Sequence, residues 1–415
     1  MEKELRMTLE ATEGRRVRRG AVMVVAGVAG AALACTAAGL QAQAAESGRA
    51  AGPDQRSGEF RIAADGYYAT AQVRTGAEAP LPVEVPALDA HVTVGQIESE
   101  ANSAGIEGED DGVFSRAFGT IASIGGAGAE FDVPYLVEQV ALPEEAETAS
   151  YGLHGLEVPI VGDLDAISGE VKANWNPSLI TQGAPGGVLT SLYSGVGEID
   201  LVDVADLGAV ADLLPIELPV GSPLITVGAG QLLQETGTFP KDDGSLGGYV
   251  EVSGRFADLG ILGGAAEGGI SLGLAGSDDG ETPNAWGRLE ATGEPGGATF
   301  DYELPALELQ VGDDEVIDVE PGFDQTFDLG GVSVNLNFAD YREDDTVLAE
   351  DGTTASASGG GLSVRVTLAV PVPVLGDVEV ASAEVGLLSF PELSVEVPQG
   401  GIAAPAIVPQ AARSN

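Results

Sequence analysis

The chain has 415 residues, with 65 Asp and Glu against 18 Lys and Arg and a formal net charge of −47. Such a polyanion repels phosphate backbones and anionic lipid, which excludes nucleic acid as a partner and leaves contact with a membrane only through an uncleaved leader or a lipid on Cys35. One cysteine, Cys35, and two histidines, His91 and His154, leave little for disulfide, thiol or zinc chemistry.

Residues 1–44 have the layout of an export signal. The basic run Arg15-Arg16-Val17-Arg18-Arg19 precedes a small, apolar stretch from Ala21 to Leu40, and Ala42-Gln43-Ala44 supplies a small-x-small cleavage site. Cleavage after Ala44 is the expectation, with Ala42 and Ala44 as the recognised residues. A retained anchor is the alternative, since the apolar stretch is long enough to span a bilayer. Its richness in Ala and Gly favours the leader. The arginine pairs resemble a twin-arginine signal, but Val17 stands where that signal has a polar residue, so the general secretory route is expected. Cys35 closes Ala32-Leu33-Ala34-Cys35, a degenerate lipobox in which Ala32 replaces the preferred Leu. It is a lipidation candidate, or else simply a small residue of the leader. Met7 is an alternative start. Cleavage removes six basic and four acidic residues and takes the net charge from −47 to −49. Only Lys172 and Lys241 then remain as lysines. The expected location is secreted or extracellular, in association with the cell envelope.

Residues 45–57 read as a flexible linker. From Gly58 onward short alternating segments follow one another, among them Val83/Val85, Val92/Val94, Val250/Val252, Val364/Val366 and Val378/Val380. Period two over such lengths marks half-buried strands. Asp111-Gly112, Asp243-Gly244, Asp279-Gly280 and Asp351-Gly352 punctuate them as tight turns. One helix is expected, with Asp203 capping Val204–Leu214 and Pro215 ending it. The block from Val92 to Gly126 and the block from Ile225 to Gly264 share an order. Each has a Val/Thr strand entering Gly, an acidic tip, a second strand with a Ser-x-Arg-like pair, then Gly-Gly. Leu362–Phe390 is a weaker third copy. The repeat predicts a β module over 58–214, a Pro-rich connector over 215–223, a second β module over 224–397 and a flexible tail over 398–415. The fold class expected is all-β: tandem antiparallel β-sandwich-like modules with at most one or two short helices. Without crosslinks, burial between layers must hold it.

The segments Tyr68-Ala69-Thr70-Ala71-Gln72-Val73, Val92-Thr93-Val94-Gly95 and Val378-Glu379-Val380-Ala381-Ser382-Ala383-Glu384-Val385 give the chain the style of one family. It resembles actinobacterial secreted surface proteins of the "choice-of-anchor" type, exported β-rich chains that reach the envelope by differing anchors. The resemblance implies a surface role and brings no catalytic residues. The chain departs from that pattern in having no Leu-Pro-x-Thr-Gly sorting motif.

Little here points to catalysis, and no catalytic residue is assigned. Gly269-Ile270-Ser271-Leu272-Gly273 fits G-x-S-x-G, yet no histidine follows it in the chain and a strand with a turn is the better reading. His91 reads as a strand residue and His154 as a loop residue. Two histidines so far apart make no zinc site. Trp175 and Trp286 are the only tryptophans, and this scarcity of aromatic platforms counts against a carbohydrate-active enzyme; Trp175 reads as a core residue at a turn, with a place lining a sugar site as the alternative. Calcium is the one cofactor the composition favours, through acidic loop residues: Asp278, Asp279 and Glu281 in one cluster, Asp110 and Asp111 in another. Solvated hairpin tips are the competing reading of the same residues. The leading expectation is a non-catalytic structural or adhesive protein whose partners are cell-wall or surface polysaccharide or other envelope proteins. The alternatives are a carbohydrate-active enzyme using paired carboxylates and a calcium-dependent binding module.

Overall fold

Among the described residues, alternating apolar side chains build strands almost without interruption. The computed structural model describes residues 59–76, 88–109, 113–126, 129–132, 136–141, 148–158, 162–175, 187–203, 223–263, 269–274, 285–304, 306–312, 316–329, 332–338, 345–359, 361–372 and 376–403. All of them fall within one unit, Cys35–Asn415.

The first five strands are β1 (Arg61–Thr75), β2 (Leu88–Asn102), β3 (Ser115–Gly126), β4 (Ala129–Asp132) and β5 (Leu136–Ala141). The next eight are β6 (Ala149–Val158), β7 (Gly162–Ala173), β8 (Gly187–Val196), β9 (Ile199–Asp203), β10 (Pro223–Val227), β11 (Gly230–Pro240), β12 (Leu246–Phe256) and β13 (Asp258–Ile261). Five more follow: β14 (Ile270–Leu274), β15 (Ala285–Ala291), β16 (Ala298–Glu303), β17 (Leu307–Val311) and β18 (Val316–Val319). The last six are β19 (Phe323–Asp328), β20 (Val332–Phe338), β21 (Val347–Leu348), β22 (Thr354–Gly359), β23 (Leu362–Val372) and β24 (Gly376–Glu396). All recorded pairings are antiparallel, and they form two sheets. The all-β, sandwich-like expectation is what the structure shows.

The two layers do not follow the two halves of the chain. The first sheet takes both ends, in the order β19-β20-β23-β24-β1-β2-β3-β4, with β5, β21 and β22 alongside. The second takes the middle, in the order β16-β15-β12-β11-β8-β7-β9-β10-β13-β14-β17-β18, with β6 on β7. β1 and β24 pair from Arg61↔Glu396 to Thr75↔Ala381. The first strand of the first expected module thus sits in mid-sheet against the last strand of the second. The proposed repeat does not share one pairing either. Val92–Val94 lies in the β2–β3 hairpin, whereas Ile225–Val227 lies in β10, which pairs with β9 and β13. Tyr249–Phe256 belongs to β12, between β11 and β15. Periodicity encodes which face of a strand is buried and says nothing of its partner.

Asp203 ends a strand, and the rest of the expected helix, 204–214, lies outside the described residues, as does the connector save Pro223, which opens β10. The signal segment 1–44 and the linker 45–57 also lie outside them. The start of the expected flexible tail is bound: Leu246 and Ile402 exchange backbone hydrogen bonds at 2.9 and 2.8 Å, and Ile402 is buried.

The layers face each other in matching order, with β24, β1, β2 and β3 over β15, β12, β11, β8 and β7. Ile62, Tyr68 and Ile97 of the first sheet and Leu192, Leu232 and Val250 of the second are fully buried between them. Polar side chains also cross the interior. Gln234 Nε2 donates to Ser99 Oγ at 2.7 Å and to the Ala64 carbonyl at 3.0 Å. Tyr68 OH donates to the Gly228 carbonyl at 3.0 Å, and Ser115 Oγ to that of Leu189 at 3.0 Å. Apolar burial tolerates sliding; these bonds fix one registration of layer on layer. At Gly66 the β1–β24 ladder shifts register, and Pro391, which has no N–H to give, occupies the break. A Cβ on Gly66 would lie 3.3 Å from Leu232 and Phe390, so the bulge relies on glycine where the sheets approach.

Candidate functional site

The second sheet turns one face to the core and the other to solvent, and its outward side chains form ordered cross-strand rows. Glu303, Trp286, Ser253, Leu233, Tyr193 and Glu170 are successive direct partners across β16, β15, β12, β11, β8 and β7. Direct partners share a face. Their chain neighbours Ala285, Leu232 and Leu192 are buried, so this face is the outer one. Leu233 is 38% exposed, and Trp286 and Tyr193 are half-buried.

A charged row runs beside it. Arg288, Glu251 and Glu235 are cross-strand partners on β15, β12 and β11. Arg288 pairs with Glu251 and Glu290, each at 2.6 Å, and its guanidinium stands 4.3 Å above the centre of the Tyr249 ring. Tyr249 OH donates to Glu235. The Tyr249 ring lies across Gly237, where a Cβ would come within 2.7 Å of it. Burial pushes the Tyr249 hydroxyl well above its usual range, and the Glu235 carboxylate it bonds adds to the effect. For Arg288, burial acts downward, but the hydrogen bonds it donates to Glu290 and Glu251, with their charges, outweigh it and raise the guanidinium further. Tyr249 is therefore a fixed neutral donor and Arg288 a fixed cation. Both facing carboxylates are held, Glu251 by Arg288 and Glu235 by Tyr249. They stand on an open sheet face. The arrangement can stack flat apolar surfaces and hydrogen-bond to hydroxyls along a line.

No protein-family model matches the chain, and no curated protein matches it in sequence. The reading of this face therefore rests on its own chemistry.

A second polar group lies on the outer face of the first sheet. Asp65 is the cross-strand partner of both Glu98 and Glu392. Its Oδ2 accepts from Tyr67 OH at 2.9 Å, while Oδ1 is buried without a hydrogen bond. Burial raises the Asp65 carboxyl to about 6; the Tyr67 hydrogen bond opposes this and the Glu98 charge adds to it. Between the layers, one pocket lined by Ala69, Val92, Leu164 and Leu201 and another lined by Phe256, Leu304, Phe338 and Leu388 each leave about 10 Å³, the room of a single water.

Most residues picked from sequence lie elsewhere. Asp110, Asp111, Asp278, Asp279, Glu281, Ala42, Ala44 and Cys35 are outside the described residues. Among the described residues no three His, Cys, Asp or Glu are grouped to hold a metal ion. Asp243, in an acidic tip, instead caps its own turn, its Oδ1 accepting from Ser245 N at 2.9 Å and Ser245 Oγ at 2.7 Å. Ser271 sits within β14, between β13 and β17, which is a ladder position and no nucleophile elbow. His91 is exposed on β2, with its ring over Gly125. His154 is exposed too, but on strand β6 opposite Ala166 rather than in a loop; the left-handed Gly155 interrupts the alternation without shifting the β6–β7 register. Trp175 is a core residue, stacked on Phe114 at 5.0 Å and Phe60 at 5.7 Å. The residues missed are Tyr193, Leu233, Tyr249 and Arg288. One signal for them was present: in Leu232-Leu233, a period-two strand must turn one leucine outward.

Proposed function

We propose that this is an exported, heavily anionic, non-catalytic protein with a structural or adhesive role at the cell surface. The observation that supports this reading is the pairing Arg61↔Glu396. The described strands enter and leave the fold side by side at one end. A body tethered at that end keeps its opposite end and both outer faces available for contact. The outer face of the second sheet, with its half-buried aromatics and fixed charges, has the character of a contact surface rather than an enclosed reaction site. The resemblance to exported surface proteins points the same way.

The test is cosedimentation of the full chain with envelopes purified from the producing cells. Retention with no soluble sugar or peptide released is the expected result. A protein that stays in the supernatant, or one that releases soluble fragments, contradicts the reading.

A further inference from the structure

We propose that the outer row Trp286–Ser253–Leu233–Tyr193 binds a neutral polysaccharide, one hexopyranose chain lying across the strands. The proposal rests on the surface role above and names the ligand class and the residues.

The row's geometry carries the argument. From Trp286 to Tyr193 is three strand steps, about 14 Å at the usual spacing between strands, which is the length of a trisaccharide. The register is unbroken here; the shift between β11 and β8 falls further on, at Thr236/Gly237. The floor is thus regular and takes an extended chain rather than a compact ligand. Ser253, small and polar, separates the indole of Trp286 from Leu233. The apolar strip is one residue wide. On one side lie Arg255 and Gln231, themselves partners, followed by Gly195, over which the Tyr193 ring lies; on the other lie Arg288, Glu251 and Glu235.

That width decides between classes of occupant. A protein partner needs a broad desolvated core around its anchors, and a single row hemmed in by charge on both sides provides none. A pyranose ring is apolar on its faces and polar round its rim. It stacks on an aromatic ring while its hydroxyls bond to the flanking groups. Those groups are preorganised: Arg288 by two carboxylates and the Tyr249 ring, Glu235 by Tyr249. Charge completes the assignment. Glu303 and Glu170 close the two ends of the row and Glu235, Glu251 and Glu290 lie along its side; these carboxylates outnumber Arg288 and Arg255, so an acidic glycan is repelled.

The experiment is a pull-down of the full chain on insoluble neutral polysaccharides (a β-glucan, an α-glucan and a mannan) and on polysaccharide extracted from the producer's envelope, with polygalacturonate as the acidic control. Trp286→Ala and Tyr193→Ala are compared with the unaltered chain, and their melting temperatures confirm folding. Trp286→Phe keeps a ring and serves as the conservative variant. We expect retention on a neutral polysaccharide, a loss of affinity of tenfold or more for each alanine variant, a smaller loss for Trp286→Phe, and no retention on the acidic control. Retention that the folded alanine variants leave unchanged overturns the site. No binding to any neutral polysaccharide while whole envelopes still retain the protein overturns the ligand class and leaves the surface role standing. Failure on envelopes as well removes both. Release of soluble sugar overturns the proposal of a purely binding face.

Discussion

Gln234 of the second sheet reaches across the interior to Ser99 of the first, with 2.7 Å between Nε2 and Oγ. Both side chains are buried. The bond joins residues 135 apart in sequence and fixes β11 against β2. Gln234→Leu leaves the Ser99 hydroxyl and the Ala64 carbonyl without this donor, so it should destabilise the fold by about 1–3 kcal/mol despite its added apolarity. Urea unfolding measures this. A double-mutant cycle with Ser99→Ala should show a coupling of about 0.5–3 kcal/mol, as expected for residues in contact.

Asp65 makes the stability of this fold depend on pH in an unusual direction. Its carboxyl is raised from 3.8 to about 6 in the folded chain. Between those values the folded state holds more protons than the unfolded one, so stability falls as pH rises through that window. The full shift corresponds to about 3 kcal/mol, as an order of magnitude. Tyr67, Gln96, Glu98 and Glu392 face the group. Asp65→Asn should therefore stabilise the protein at pH 7.5 and make little difference at pH 4. The difference between the unaltered chain and the variant isolates Asp65 from the self-repulsion of the other carboxylates.

Lys241 ties three turns together. Its Nζ lies 2.6 Å from Glu294 Oε1 and donates to the Thr292 carbonyl at 3.0 Å and the Gly400 carbonyl at 3.4 Å. The side chain is only 8% exposed. Lys241→Met keeps the apolar stem and removes the charge, and should cost about 1–3 kcal/mol. Hydrogen exchange should speed up locally at the Leu246–Ile402 bridge and around residues 292–297.

The two tryptophans should behave as opposites. Trp175→Ala opens a hole between Phe60 and Phe114 and should cost about 3–5 kcal/mol. Trp286→Ala, on the outer face, should cost less than about 1 kcal/mol. Thermal melts measure both. Acrylamide should quench Trp286 and spare Trp175.

The strands were legible because their apolar residues alternate. Val92 and Val94, Val250 and Val252, and Val364 and Val366 are all buried, as the pattern requires. Asp243-Gly244 and Asp351-Gly352 make turns with glycine in the left-handed region. Trp175 was legible as core. The partnership of β1 with β24 was not, since alternation specifies a face and closing so long a loop leaves no local trace. For the same reason the outer row was hidden. Tyr193, Leu233, Ser253 and Trp286 come from four strands, and only the register brings them into line.

The first and last described strands meet in the middle of the first sheet, and native-state hydrogen exchange tests this pairing most directly. The amides shared by β1 and β24, from Arg61↔Glu396 to Thr75↔Ala381, should exchange together at one slow rate set by global unfolding. If β1 exchanged with residues 88–203 in one unit while β24 stayed protected with residues 223–372 in another, the pairing at the centre of the first sheet would be contradicted.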